Sequence, residues 1–496
     1  MTNDEMQHPA DERLLDATLE QFFWGPGVIS GPGAVAAHEG GVKVSAVRLR
    51  WLQPAIFLLG LVITALLLWQ GRREELVTAQ NPAPFGVEVR AEGRAEIEAL
   101  PDDVTNLTCF VTDAKDLVLL KRFHALRRLQ LVARDLHIGK INFKTKHKSW
   151  VDAHADVFKP LADLGALESL TLPFDVHIRA AHLEPLVACA GLRELYLMGD
   201  KVPLTEAFVA GMKNLPRLSS LRFHRVNLDA EIITRLAFLE LQELEVTRCP
   251  GFDAKAFAAM CVLSTLRSLS FGDLGVRELG DRVEGSTWWV PSAADFAQLK
   301  LLPKLAHVSF FGASLGATEL NALPDTLSSL ELRATELLPA DYLELARFGN
   351  LRRLMLQPAR QTFHFVPRDT PEQSEQAADA IATALAGMQL TEFYYSGTVT
   401  EPLLKQLGMQ PVLDDLTLRA KRLPVLSGLA TSPSLRSLHL FESLLPPPLD
   451  IRNLRELKNC RSLVELEVDG RIQLSREEIA AVFGDKVNVT IRSVGK

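Results

Sequence analysis

Residues 192–249 read LRELYLMGDKVPLTEAFVAGMKNLPRLSSLRFHRVNLDAEIITRLAFLELQELEVTRC. Three short phrases inside this stretch match one another: Leu192-Leu195-Leu197, Leu218-Leu221-Phe223 and Leu241-Leu244-Val246. In each, apolar residues follow the first at three and five positions. The last two lie two apart, so in an extended strand they point to the same side, while their neighbours point to the other. Between the phrases run short segments of helical period, Thr205 to Met212 (TEAFVAGM) and Asp229 to Phe238 (DAEIITRLAF), each opened by a residue whose side chain suits a helix N-terminus. A strand, a turn and a short helix in about 25 residues cannot bury its own apolar side. Neighbouring copies can bury it together.

Outward from this stretch the phrase recurs fourteen times, from Val104-Leu107-Cys109 to Leu463-Leu466-Val468, with Val487-Val489-Ile491 read as a closing strand. Most copies lie 22 to 28 residues apart; the gaps after Leu126, Leu266 and Leu351 are 41, 39 and 39 residues. Further helical segments are read at Asp253 to Met260, Asp341 to Phe348 and Ser475 to Phe483, and Pro371 to Ala380 (PEQSEQAADA) as a loop entering a helix. The repeat resembles the leucine-rich-repeat family, L-x-x-L-x-L-x-x-N/C-x-L, over roughly residues 100–496. It departs at the N/C position, which Asp175, Asp200, Cys249, Thr335 and Thr398 can fill while Arg134, Leu274 and Ala359 occupy it elsewhere. The resemblance implies an α/β solenoid: a horseshoe with a parallel sheet on its concave face and helices on its convex face.

One other stretch breaks the pattern. Trp51 to Trp69 (WLQPAIFLLGLVITALLLW) carries no charge, ends in tryptophans, and is flanked by Arg48 and Arg50 on one side and Arg72 and Arg73 on the other. Nineteen helical residues span roughly 28 Å, the thickness of a bilayer's hydrocarbon layer. The expected organisation is therefore a tail at 1–50 with an amphipathic helix at 11–24, a transmembrane helix at 51–70, a juxtamembrane linker at 71–95, and the repeats at 96–496. Flank charge hardly distinguishes the two sides. A large C-terminal part can cross regardless, so the repeat domain is placed outside the cytoplasm.

Composition narrows the function. Lys plus Arg is 54 against 61 Asp plus Glu, a net charge of −7, which speaks against nucleic acid as a partner. Five cysteines in 496 residues do not make a disulfide scaffold, and each sits at an apolar position or at the repeat's Cys position. No HExxH, GxSxG, GxxxxGK[ST] or CxxC occurs, and the twelve histidines are scattered. The reading is a binder, not an enzyme, with no cofactor and no metal.

The binding surface is expected where strand side chains face the hollow. The candidates are Tyr196, Met198, Arg222, His224, Phe311, Arg333, Met355, Tyr394, Arg419, His439 and Phe441, aromatic and arginine side chains being those that dominate interfaces. Trp150, Trp288 and Trp289 fall in oversized gaps, where they either contact a partner or plug the solenoid. Lys140, Lys144, Lys146 and Lys148 form a local basic run in the first gap. The partners expected are a protein or polymer ligand, and the lipid bilayer through residues 51–69. A second reading makes the chain a structural or assembly subunit of a membrane complex, working through the tail and transmembrane helix.

Overall fold

The computed structural model describes residues 88–111, 114–133, 155–173, 178–272, 289–313, 315–335, 337–358, 370–420, 423–442, 451–469 and 476–492. These belong to one compact unit, Pro84–Lys496. The tail, the Trp51–Trp69 segment, Trp150, Trp288 and the lysine run lie outside the described residues.

The described residues form a single sheet of sixteen strands, all parallel and in chain order. They are β1 (Val89–Ala91), β2 (Asn106–Val111), β3 (Arg128–Ala133), β4 (Ser169–Pro173), β5 (Glu194–Pro203), β6 (Ser220–Asn227), β7 (Glu243–Thr247) and β8 (Ser268–Gly272). Then follow β9 (His307–Phe311), β10 (Ser329–Thr335), β11 (Arg353–Pro358), β12 (Glu392–Ser396), β13 (Asp415–Ala420), β14 (Ser437–Glu442), β15 (Glu465–Asp469) and β16 (Asn488–Arg492). The last two residues of all fourteen repeat phrases fall on strands, β2 to β15, and the closing strand is β16. β1 is an addition: it lies within the stretch read as linker and pairs with β2, Val89 opposite Leu107 and Ala91 opposite Cys109.

Register holds the leucines in rows. Leu195 sits opposite Leu221, Leu221 opposite Leu244 and Leu244 opposite Leu269. These side chains, and the row two residues on, are almost fully buried. At about 25 cal/mol per Å² of apolar surface, each buried leucine contributes roughly 2 kcal/mol relative to exposure. A backbone ladder runs beside the rows: Ser219 N donates to Arg193 O (2.9 Å), Gln242 N to Ser219 O (2.8 Å) and Arg267 N to Gln242 O (2.8 Å), and so on along the stack. Each unit thus satisfies its turn through its neighbour.

The layer behind the sheet is made of short helices. Glu206–Met212, Ala230–Arg235 and Ala254–Met260 are capped as their sequences predict, by Thr205, Asp229 and Asp253, whose side-chain oxygens accept from backbone N–H groups at 2.9 to 3.3 Å. Two segments differ from expectation. Asp341 does not open its helix: the turn Pro339–Arg347 is a 3₁₀ helix starting earlier, and the Asp341 carboxylate accepts from Leu338 N (2.8 Å) and from Ala317 N of the preceding unit (3.0 Å). The segment at 371–380 is helix throughout, part of Pro371–Leu385. Thr370 and Gln373 form a reciprocal capping box around Pro371, the pattern that starts a helix.

Where the second long gap interrupts the stack, aromatic rings fill the core. Phe257, Phe271, Phe296 and Phe310 pack with centroids 5.3 to 6.1 Å apart. Trp289, within that gap, lays its ring on Phe257 (5.3 Å) and Phe252 (6.1 Å).

Candidate functional site

Residues that alternate with the buried leucines form the opposite, open face of the sheet. Three rows cross it. The strand-start row runs from Glu194 on β5 to Glu465 on β15 and holds five carboxylates: Glu194, Glu243, Glu392, Asp415 and Glu465. Its arginine in that span, Arg353, pairs with Glu392 at 2.9 Å.

The middle row includes Tyr196, Arg222, Met355, Tyr394 and His439, all half-buried. Arg222 and Tyr196 lie opposite each other on β6 and β5, and Met355 and Tyr394 on β11 and β12. The Arg222 guanidinium meets Glu194 at 2.8 Å and Glu245 at 3.7 Å. Burial raises the Glu245 carboxyl and Arg222 opposes that rise; burial also raises the Tyr196 phenol. His439 Nδ1 lies 2.8 Å from the buried Glu467 carboxylate, and Nε2 lies 3.6 Å from Asp415. Asp415 is itself raised by burial, with His439 acting the other way.

The strand-end row brings together the other six candidates: Met198, His224, Phe311, Arg333, Arg419 and Phe441, again half-buried. From β4 to β14 this row contains no carboxylate. Arg333 reaches back to the buried Glu331 (3.0 Å) and places Nε on the Met355 sulfur (3.0 Å). Arg419 makes no side-chain hydrogen bond or ion pair among the described residues. His224 is lowered to about 4, first by burial and then by Arg248 and Arg225.

Those last two arginines escaped the sequence reading. Arg225 and Arg248 follow the strand-end row on adjacent strands and hold left-handed backbone, φ 57° and 51°. For a residue with a Cβ such a conformation costs on the order of 1 kcal/mol or more and collects at functional positions. The repeated His-Arg and Thr-Arg at 224–225 and 247–248 is the visible signal; the backbone conformation is not readable from residue types.

The chain leaves the described sheet for its three oversized gaps directly after Ala133, Gly272 and Pro358, at this same strand-end side. Among the tryptophans, Trp289 is placed: it plugs the aromatic core.

All five cysteines are buried and unbridged, and burial pushes Cys109, Cys249 and Cys261 up to about 12 and Cys189 to about 11. Cys249 directs its sulfur at two strand carbonyls, Phe223 O (3.5 Å) and Thr247 O (3.4 Å). Among the described residues no cluster of three or more His, Cys, Asp or Glu is placed to hold a metal ion.

Parallel strands in chain order, leucine rows facing short helices and an open face opposite them make an α/β solenoid like that of leucine-rich-repeat proteins. No protein-family model matches the chain, and no curated protein matches it. Among solved structures it is similar to an internalin (inlF) from Listeria monocytogenes str. 4b F2365, at 15% identity over 76% of this chain and 83% of the other, with a TM-score of 0.30. The architecture stands on the strand pairing itself.

Proposed function

We propose that this chain is a membrane-held binding scaffold that recognises a protein or polymer partner through the open face of its sheet and does not alter that partner chemically. One observation carries the reading: eleven half-buried candidate side chains, rich in aromatic and arginine residues, lie in two adjacent rows of one sheet. Such side chains concentrate binding energy when a partner removes their remaining water. Attachment to the bilayer is assigned to residues 51–69 on the length and apolarity of that segment, with the repeats outside the cytoplasm.

Retention of partners from native membranes by the tagged full chain tests the binding role. Substitution Arg222→Glu, Tyr196→Ala or Tyr394→Ala reduces capture at least tenfold if the face is used; full retention by all three variants contradicts it. Protease added to intact cells tests the placement. Digestion of the repeat domain without permeabilisation is the expected result, and protection of it would put that domain on the inner side.

A further inference from the structure

Every strand starts at the same edge of the sheet, so the turns that lead from helix to strand line that edge. Their backbones stack: Ser219 N donates to Arg193 O, Gln242 N to Ser219 O, Arg267 N to Gln242 O and Ala306 N to Arg267 O, at 2.8 to 2.9 Å. The turns entering β5 to β9 are residues 187–193, 213–219, 237–242, 261–267 and 300–306. They carry six exposed cations, Arg193, Lys213, Arg217, Arg267, Lys300 and Lys304, against one carboxylate, Glu240. None of the six has a carboxylate partner among the described residues; Lys213 lies over the Phe238 ring of the next turn, 5.9 Å from its centroid. The carboxylates that open two of these strands are taken: Glu194 holds Arg222 (2.8 Å), and Glu243 accepts from Ser220 Oγ (3.1 Å). Among the cations stand four apolar side chains that the core leaves outside, Val187, Phe238, Val262 and Leu301; Val262 and Leu301 are 63% and 65% exposed.

We propose that this edge, from β5 to β9, seats on the headgroup layer of a bilayer that contains anionic lipid. Its apolar side chains enter the boundary between headgroups and acyl chains, while the long Lys and Arg stems carry their charges to the lipid phosphates. Binding of this kind adds buried apolar area to attraction for anionic headgroups. Each Lys or Arg close to an anionic leaflet multiplies it roughly fivefold. Four spacings of about 4.8 Å give the edge a length of roughly 19 Å. The net charge of −7 does not oppose the contact, because charges more than about 10 Å away are screened at 0.1 M salt. A soluble polyanion fits less well, since it leaves the four apolar groups in water. A protein partner also fits less well: lysine is depleted from protein interfaces, and three of the six cations are lysines. The inference goes beyond the membrane-held reading, which assigns only residues 51–69 to lipid, and it uses turns rather than the open face.

The test introduces one surface cysteine into the full chain, Val262→Cys or Leu301→Cys, and labels it with an environment-sensitive dye; the five native cysteines are buried. Lys255→Cys, on the helix of the same unit as Val262, is the control. Each labelled chain is reconstituted into vesicles of phosphatidylcholine alone, or of phosphatidylcholine and phosphatidylglycerol mixed two to one. Nitroxide carried on the lipid should quench the Val262→Cys and Leu301→Cys labels at least threefold in the anionic vesicles and leave the Lys255→Cys label bright. Combined Arg217→Glu, Lys300→Glu and Lys304→Glu should abolish that quenching with the melting temperature unchanged, since these exposed side chains have no partner among the described residues. Equal quenching at all three label positions, equal quenching in both kinds of vesicle, or indifference to the charge reversals overturns the proposal. So does a dye response to heparin in neutral vesicles as large as the response to anionic lipid. Bright labels in a chain that stays lodged in both kinds of vesicle remove the edge contact and leave the membrane-held reading standing. A chain that floats only with anionic vesicles, and only with its cations intact, keeps the edge contact and removes the anchor at 51–69. A chain that floats with neither removes both.

Discussion

Gly312 and Ala334 occupy the same place on neighbouring strands, just past the strand-end row, and both have positive φ, 66° and 49°. Glycine adopts that conformation freely, whereas alanine pays a steric cost of roughly 1–2 kcal/mol, offset in part by glycine's greater freedom when unfolded. Ala334→Gly should therefore raise the urea midpoint by about 0.5–1 kcal/mol equivalent, and Gly312→Ala should lower it by about 1 kcal/mol. Shifts of opposite sign would show that these turns are not strained. His224 supplies a pH-dependent counterpart. Its folded value near 4 lies below the ordinary 6.5, so between these pH values the unfolded chain holds more protons. Its contribution is present above pH 6.5 and is lost as pH falls toward 4. His224→Gln should flatten the melting temperature across that window; an unchanged slope would place the acid sensitivity elsewhere.

Helices behind the sheet are short, so their ends matter more than their propensities. Asp253→Ala removes a cap that accepts from two backbone N–H groups and should cost about 1 kcal/mol. Asp341→Ala should cost more, about 2 kcal/mol, because the same carboxylate also holds Ala317 N of the neighbouring unit. Denaturation of the two variants side by side checks the order. Gly408 is closer still to its neighbour: a Cβ there would stand 1.9 Å from Gly428 O, so Gly408→Ala must push two units apart and should cost about 2–3 kcal/mol. These elements also show how far residue order speaks for itself. Asp229 and Asp253 announce their helices because cap chemistry is local. Asp341 misleads because its second partner is a whole unit away in sequence. Thr370-Pro371 with Gln373 was a complete start signal hidden by a polar composition. β1 was invisible because Val89–Ala91 has too few apolar residues to show a period and is held by pairing with β2.

At the scale of the molecule, rows of leucine make strand order predictable, since identical units can bury their apolar sides only by stacking in sequence. The face that results was readable position by position: alternate residues of each phrase were bound to point outward. What the phrases could not show is that five carboxylates gather in the strand-start row, because that depends on which outward position of each strand lines up with its neighbours, or that Arg225 and Arg248, beyond the phrase, hold left-handed backbone. Stacking also predicts how damage spreads. Leu438→Ala in β14 should cost about 2–5 kcal/mol and should raise amide hydrogen exchange in β13 to β15 well before β4 to β6. Uniform loss of protection over the whole sheet would mean that the array melts as one block.

The central claim is that a partner lies on the open face. Site-specific photo-crosslinking in native membranes addresses it most directly, with benzoylphenylalanine placed singly at Tyr196, Tyr394 and Phe441 on that face, and at Lys255, Glu344 and Val118 among the helices. The account predicts one shared adduct from the three face positions and none from the helix side. An adduct formed from the helix positions, with the face positions silent, would contradict it.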